Sequence, residues 1–307
     1  MKKVKVGVIG TGVMGGFHTR QYGNLAEVEL VGIFDEDRNR AKEAAEKHGT
    51  KAFEHLEELI LSVDALSIAT PTSTHYIIGM ACLDAGKHIL IEKPITLNLG
   101  EADDLIEKAK EKKLVLAVGH IERFNPAYRH FKELLKGINI DTIKVIDAKR
   151  LSPYPERITD ASVVLDIMIH DIDLVLNLAG SKAAKIEARG EKVRSKSLDK
   201  ASATITFQNG ITANLEADRI HTKKVRDFNV TAKDHSYEID LIKKEIIKKV
   251  EHKKEKVEVS LYDQLQVELS DFIAAISKNR KPLVTGEEGR DVLKIALKIE
   301  ELASKQL

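Results

Sequence analysis

Apolar and polar positions follow two different rhythms along this chain. In the first 120 residues, short apolar runs (VKVGVIG, VELVGIFD, ALSIAT, HILIEKP and LVLAVGH) are separated by stretches of helical spacing. Those stretches include DRNRAKEAAEKHG, closed by Gly49, then THYIIGMACLDAG and GEADDLIEKAKEKK. Strands that alternate with helices imply a parallel sheet covered on both faces. After Gly119-His120 the rhythm changes. NPAYRHFKELLKG reads as a helix with Pro126 in its first turn, and TIKVIDAKRL reads as a strand. Strand patterns then dominate through AKIEARGEKV, SATITFQNGITANLEAD and RDFNVTAKD, with Gln208-Asn209-Gly210 marking a hairpin. Helical spacing returns in YDQLQVELSDFIAAISKN and GEEGRDVLKIALKIEELASK. The expected fold is α/β, with a doubly wound parallel sheet over 1–120. A second α/β domain follows over 121–307, built on a mostly antiparallel sheet, with the C-terminal helix able to pack back on the first domain. A length of 307 residues suits two domains.

One segment breaks its own pattern. VVLDIMIHDIDLVLNLAG, residues 163–180, reads as an oily helix that nevertheless carries Asp166, His170, Asp173 and Asn177. At about 100° per residue these fall within roughly 60° of one another, a single polar stripe, while Asp171 points elsewhere. An isolated charge in such surroundings costs several kcal/mol, so the stripe must face water, a partner or a ligand. Asp166 and His170 stand i, i+4. A carboxylate there can orient a histidine, and the histidine can take a proton near neutral pH. The same pair suits a metal, or simply a solvated helix edge.

Chemistry is also written at the strand ends. GTGVMGGFHTR sets Gly10, Gly12 and Gly15 directly after the first strand, at the mouth of a helix. Gly10 allows the tight turn, Gly12 lets backbone approach a pyrophosphate, and Gly15 permits close helix–strand packing, with Thr11, Val13 and Met14 completing the loop. Asp35 ends the second strand, where an acid accepts from the ribose hydroxyls and repels a 2′-phosphate. Asp35, Glu36 and Asp37 make this spot acidic, and Arg38 is the only nearby cation that could bind a 2′-phosphate. This Rossmann pattern implies NAD in preference to NADP. Thr70 and Pro71 follow another strand, with Thr72 or Ser73 as cap for the next helix, and His75 is either a cofactor contact or a first-turn helix residue. Glu92 and Lys93 close the strand HILIE. A lysine there can hold a hydroxyl or a developing alkoxide, or can snorkel to the surface.

Charge narrows the choices. Lys and Arg number 49 against 48 Asp and Glu, a net charge of +1, so nothing points to nucleic acid or an anionic membrane. Cys82 is the single cysteine, which excludes an intramolecular disulfide and fits a reducing compartment. No apolar run approaches the roughly 20 residues that span a bilayer. Met1 leads straight into a strand pattern, leaving no room for a signal peptide, and the expected location is cytoplasmic. Charged residues at 32% and the absence of Trp lean towards a heat-loving source. The Lys-rich stretch 243–258 reads as a solvated edge hairpin.

Gly10-Thr11-Gly12 through Gly15, ATPTSTH, EKP, VGHIERFNPA and Asp166-x-x-x-His170-Asp171 together resemble the glucose–fructose oxidoreductase, inositol dehydrogenase and rhizopine-catabolism dehydrogenases, the Gfo/Idh/MocA family. The resemblance covers nearly the whole chain. It implies a Rossmann domain followed by an α/β domain with a large open sheet, and dimers or tetramers. It implies Lys93 and His170 as the catalytic pair with Asp166 in support, Asp173 on a substrate hydroxyl, and no metal. VGHIERFNPA, SPYPERITD and VVLDIMIHDIDLVL look most like the subgroup that oxidises C3 of UDP-N-acetylglucosamine. A nucleotide sugar would bring Arg123, Asn125, Arg150 and Arg157 into question as substrate contacts, because arginine suits a diphosphate. A polyol such as inositol, or an NAD- or sugar-sensing role without catalysis, are the alternatives.

Overall fold

The computed structural model describes residues 3–136, 140–154 and 161–305. The chain divides into two compact units. One comprises the residues up to Ile121 with Asp263–Asp291, the other Glu122–Tyr262 with the chain from Val292 onward.

The first unit runs β1 (Val4–Ile9), α1 (Val13–Asn24), β2 (Val28–Phe34), α2 (Arg38–His48), β3 (Lys51–Ala52), α3 (Leu56–Ser62), β4 (Ala65–Ile68), α4 (Thr72–Asp84), β5 (His88–Glu92), α5 (Leu99–Lys112) and β6 (Leu116–Gly119). Its strands stand in the order β3-β2-β1-β4-β5-β6, all parallel. Central strands are covered on both faces: β4 is buried throughout and β5 in all but its first residue. The order reverses between β1 and β4, and ligands of such sheets bind outside the carboxyl ends at that reversal. Local chemistry sets the helix limits. Asp37 caps α2 through the amides of Asn39 and Arg40, and Gly49 ends it at φ +63°.

The second unit holds α6 (Pro126–Leu134), β7 (Ile143–Leu151), a π-helical turn (Val164–Met168), α7 (Ile169–Ala179), β8 (Ala183–Glu191), β9 (Lys200–Phe207), β10 (Thr212–Asp218), β11 (Val225–Ala232), β12 (Ser236–Asp240), β13 (Glu245–Val250) and β14 (Lys253–Val257). Eight strands pair in the order β14-β13-β12-β11-β7-β10-β9-β8, antiparallel except for β10 beside β7. Alternation fixes the faces. Ile146, Ala148, Leu215 and Phe228 pack with Val164, Met168, Ile172 and Val175 of the π-turn and α7. The intervening Asp147, Lys149, Asn214 and Glu216 lie on the other face, where Lys149 meets Glu216 at 2.9 Å and Asn214 donates to Asp147. Asn209-Gly210 turns β9 into β10 with Gly210 at φ +86°, and the Lys-rich stretch is the edge hairpin β13–β14.

The division into compact units falls one residue after the 120/121 boundary expected from the sequence. The segment Asp263–Asp291 belongs to the first unit. It carries α8 (Gln264–Ser277) and the start of α9 (Gly286–Ser304). Leu265, Leu269, Phe272 and Ile273 of α8 join the cluster of Val6, Val8, Tyr22 and Ile33. Gln21 donates to the capping Asp263 at 2.7 Å, and Arg290 makes a two-pronged pair with Asp103. An amphipathic pattern says that one face is buried, and leaves open which core buries it.

Candidate active site

The glycine loop fills its three roles by geometry. Gly10 sits at φ +86°, and a Cβ there would stand 2.6 Å from the Ala69 carbonyl oxygen. A Cβ on Gly15 would lie 1.8 Å from the carbonyl oxygen of Gly10, so helix and loop meet backbone to backbone. A Cβ on Gly12 would meet nothing, and α1 starts there with no side chain capping its first turn. The uncapped amides at Val13 and Met14, beside open space, suit a pyrophosphate.

Asp35 follows β2 and is 6% exposed. Its carboxylate accepts from the Thr11 amide at 2.7 Å, the Thr11 hydroxyl at 2.9 Å and the Asp37 amide at 3.0 Å. Burial works to raise its pKa, but these bonds and those from Arg40 bring it below the ordinary carboxylate range. Arg40, not Arg38, is the cation on Asp35, with contacts of 2.6 and 3.2 Å. Two residues turn a helix by about 200°, so Arg38 and Arg40 leave α2 on opposite sides.

Thr70 and Pro71 follow β4, and no side chain caps α4; instead Thr74 donates to the Pro71 carbonyl. His75 is 1% exposed, with Nδ1 2.9 Å from the Pro94 carbonyl and Nε2 3.0 Å from the Thr70 carbonyl. Each ring nitrogen thus faces a backbone carbonyl oxygen, one from the turn after β4 and one from the turn after β5. Glu92 also turns inward. Its Oε1 stands 3.1 Å from His18 Nε2, and its Oε2 accepts from the Lys93 amide. Burial opposes its charge, while His18 and Lys93 hold its pKa below the usual value. Gly119 leaves the room this requires, since a Cβ there would lie 2.9 Å from Oε1. Lys93 itself is half-buried immediately after β5.

His18 and Glu268 were not anticipated. With Glu92 they form a buried group whose ligand-capable atoms lie within 4.8 Å of one another. The signal was present: Glu268 interrupts the apolar face formed by Leu265, Leu269 and Phe272.

In the second unit the expected stripe divides. Asp166 lies in the π-turn, where the 100° wheel no longer applies, and His170 opens α7; both are half-buried. Asp173, expected at a substrate hydroxyl, is fully buried and accepts from Arg123 Nε at 2.7 Å. Asn177 accepts from the Tyr128 hydroxyl at 2.7 Å. Asp171 takes Arg150 on both oxygens, and Glu122 takes Arg150 Nη1 at 3.0 Å. Arg123 and Arg150, each 4% exposed, are therefore structural cations whose charge is met within the chain, which corrects their expected role at a diphosphate. Burial works against the Arg150 cation, and Asp171 and Glu122 outweigh it. Asn125 is likewise structural: it caps α6 and donates to Glu122 and the Leu241 carbonyl. Arg157 lies outside the described residues.

This architecture has relatives. Residues 4–120 match the model of an oxidoreductase family with an NAD-binding Rossmann fold, and residues 128–239 match the GFO/IDH/MocA C-terminal domain. The chain is 36% identical to UDP-N-acetylglucosamine 3-dehydrogenase of Acidithiobacillus ferrooxidans over 97% of both chains. The chain belongs to the Gfo/Idh/MocA oxidoreductases. The structure of that A. ferrooxidans enzyme superposes with a TM-score of 0.94 over 99% of each chain. Myo-inositol 2-dehydrogenase of Thermotoga maritima is 26% identical over 99% of this chain and 96% of its own. Levoglucosan dehydrogenase in complex with NADH shares the fold, with a TM-score of 0.91 at 22% identity over 99% of this chain and 98% of its own. This Gfo/Idh/MocA member is an NAD-dependent oxidoreductase acting on CH–OH groups, and its cofactor is NAD. Among the described residues, no helix is long and apolar enough to cross a membrane.

Proposed function

We propose that this oxidoreductase oxidises the C3 hydroxyl of UDP-N-acetylglucosamine to a ketone. The observation that carries this reading is the 36% identity, over 97% of both chains, to an enzyme of that name. NAD, when bound, supplies the acceptor for the hydride leaving the carbinol carbon. The first-turn amides of α1 hold the pyrophosphate, and Asp35 accepts from the adenosine ribose. His170 takes the hydroxyl proton, with Asp166 orienting the ring. Lys93 hydrogen-bonds the same oxygen and stabilises its developing negative charge. Val13, Met14, Thr70 and Pro71 border the cofactor. A sensor would need neither a proton acceptor nor a lysine at the reacting oxygen, so Lys93, Asp166 and His170 together favour catalysis.

Arg123 and Arg150 are engaged by Asp173 and Asp171 and take no part in holding the diphosphate. A second substrate class, an inositol, is favoured by the full-length likeness to myo-inositol 2-dehydrogenase. The test is NAD reduction, followed by absorbance, with UDP-N-acetylglucosamine, free N-acetylglucosamine and myo-inositol. The UDP-sugar should turn over best. Brisk turnover of myo-inositol with the UDP-sugar inert would transfer the assignment to the polyol class. The proposal includes a homo-oligomer, which light scattering checks.

A further inference from the structure

A neutral imidazole carries one N–H and one bare lone pair. His75 faces an oxygen that can only accept at each nitrogen, Pro94 O 2.9 Å from Nδ1 and Thr70 O 3.0 Å from Nε2. Only the doubly protonated ring donates to both. With one proton, a lone pair is left against a carbonyl oxygen in a place 1% exposed to solvent, and an unmade buried hydrogen bond is costly.

The two carbonyls belong to different parts of the cofactor end. The Thr70 turn abuts the glycine loop, since a Cβ on Gly10 would lie 2.6 Å from Ala69 O and 3.0 Å from Thr70 Cγ2. Pro94 directly follows Lys93. We propose that His75 is a positioning residue that couples these two loops: with two ring protons it holds both, and with one it holds either the cofactor loop or the Lys93 turn.

Burial holds the His75 pKa below the ordinary histidine range, while the carbonyls of Thr70, Pro94 and Ile95 and the charge of Glu92 draw it upward. Glu92 and Lys93 are the charged groups at the end of β5, and His18 of α1 bonds the Glu92 carboxylate. From α5, Asp104 accepts from Tyr76, the neighbour of His75 on α4. Because the doubly protonated ring secures the cofactor loop, NAD should bind more tightly as pH falls. By linkage, bound NAD should raise the proton affinity of His75.

The two nitrogens can be tested separately. His75→Asn places an amide donor near the position of Nδ1, and His75→Gln near that of Nε2. Calorimetric titration with NAD, from about pH 4.5 to about pH 7.5, spans the ordinary histidine value of about 6.5 and the region below it, where burial places this ring. His75→Asn should weaken NAD binding by about three- to tenfold, the scale of one hydrogen bond, with turnover little changed. His75→Gln should keep the affinity and lower turnover. Both should lose the pH dependence of affinity seen in the wild type. Ring ¹⁵N shifts of the wild-type protein give a reading that needs no variant: two protonated nitrogens at low pH, one at high pH, with NAD moving the midpoint upward. A single tautomer at every pH, with NAD affinity flat, would overturn the proposal. So would equal effects of the two substitutions on affinity and turnover. The turnover arm rests on the role proposed for Lys93, but the NAD arm does not. If Lys93→Ala kept full activity while the NAD arm held, only the catalytic reading would fail.

Discussion

Asp35 and Asp171 are both buried carboxylates paired with arginine, and they belong to different kinds of structure. Asp35 is 5% exposed at its side chain, but its partner Arg40 is 52% exposed and its other donors include the backbone amides of Thr11 and Asp37. Asp171, Arg150 and Glu122 are 3%, 4% and 2% exposed. A pair with one partner in water separates at little cost, whereas removing one member of a fully buried group strands the others without solvent. Arg40 can therefore yield Asp35 to a ribose, while Arg150 cannot be recruited by a phosphate. The cofactor end uses an exchangeable charge to meet a ligand, and the α7 end uses a locked one to hold its helix on the sheet.

The largest effect should come from breaking the locked group. Arg150→Met strands Asp171 without its arginine and leaves Glu122 to the part-exposed Arg226 and to Asn125, and should cost about 3–5 kcal/mol in urea denaturation, against about 0–1 kcal/mol for Arg40→Ala. Similar losses from the two substitutions would erase the distinction. Acid should find the same group. Burial works to raise the Glu122 pKa, yet Arg150, Arg226 and Asn125 hold it below the usual value. Its contribution is thus complete above the unfolded carboxylate pKa of about 4.3 and is lost as pH falls through the lower folded value. Glu122→Gln should remove that part of the acid-induced loss, read from stability against pH.

Next in size is the chemistry. Lys93→Ala and His170→Ala should each lower turnover by roughly a hundredfold or more, about 2.7 kcal/mol of barrier. NAD affinity should survive both, since neither residue belongs to the glycine loop. Near-normal turnover in His170→Ala, with chemistry rate-limiting, would make the half-buried face of α7 structural like the rest of that helix.

The same contrast explains what could be read before the fold was known. Gly10, Gly12, Gly15 and Asp35 act through backbone position, and strand–turn–helix order is local in sequence. The strand and helix rhythm likewise yields the parallel sheet, the hairpin at Gly210 and the Lys-rich edge. Arg123, Arg150 and Asn125 take their meaning from Asp173, Asp171, Glu122 and Leu241, most of them tens of residues away. Nothing local separates such an arginine from one awaiting a phosphate. Asp166 eluded the helical wheel because the π-turn changes the phase, and α8 could show an apolar face but not the core that receives it.

The smallest effect concerns the exchangeable pair. Asp35 should favour NAD over NADP by at least about tenfold, or 1.4 kcal/mol, because a 2′-phosphate would meet a carboxylate held in its charged form. Asp35→Ser should narrow that ratio, measured by titration with both cofactors. Arg40 sharpens the expectation. In Asp35→Ser its guanidinium loses the carboxylate it now grips at 2.6 Å and becomes available to a 2′-phosphate. Adding Arg40→Ala to Asp35→Ser should then return part of the NAD preference. Equal affinity for NAD and NADP in the wild type would mean that Asp35 does not discriminate. An unchanged ratio on adding Arg40→Ala would mean that the Arg40 charge, although exchangeable, never reaches the ligand.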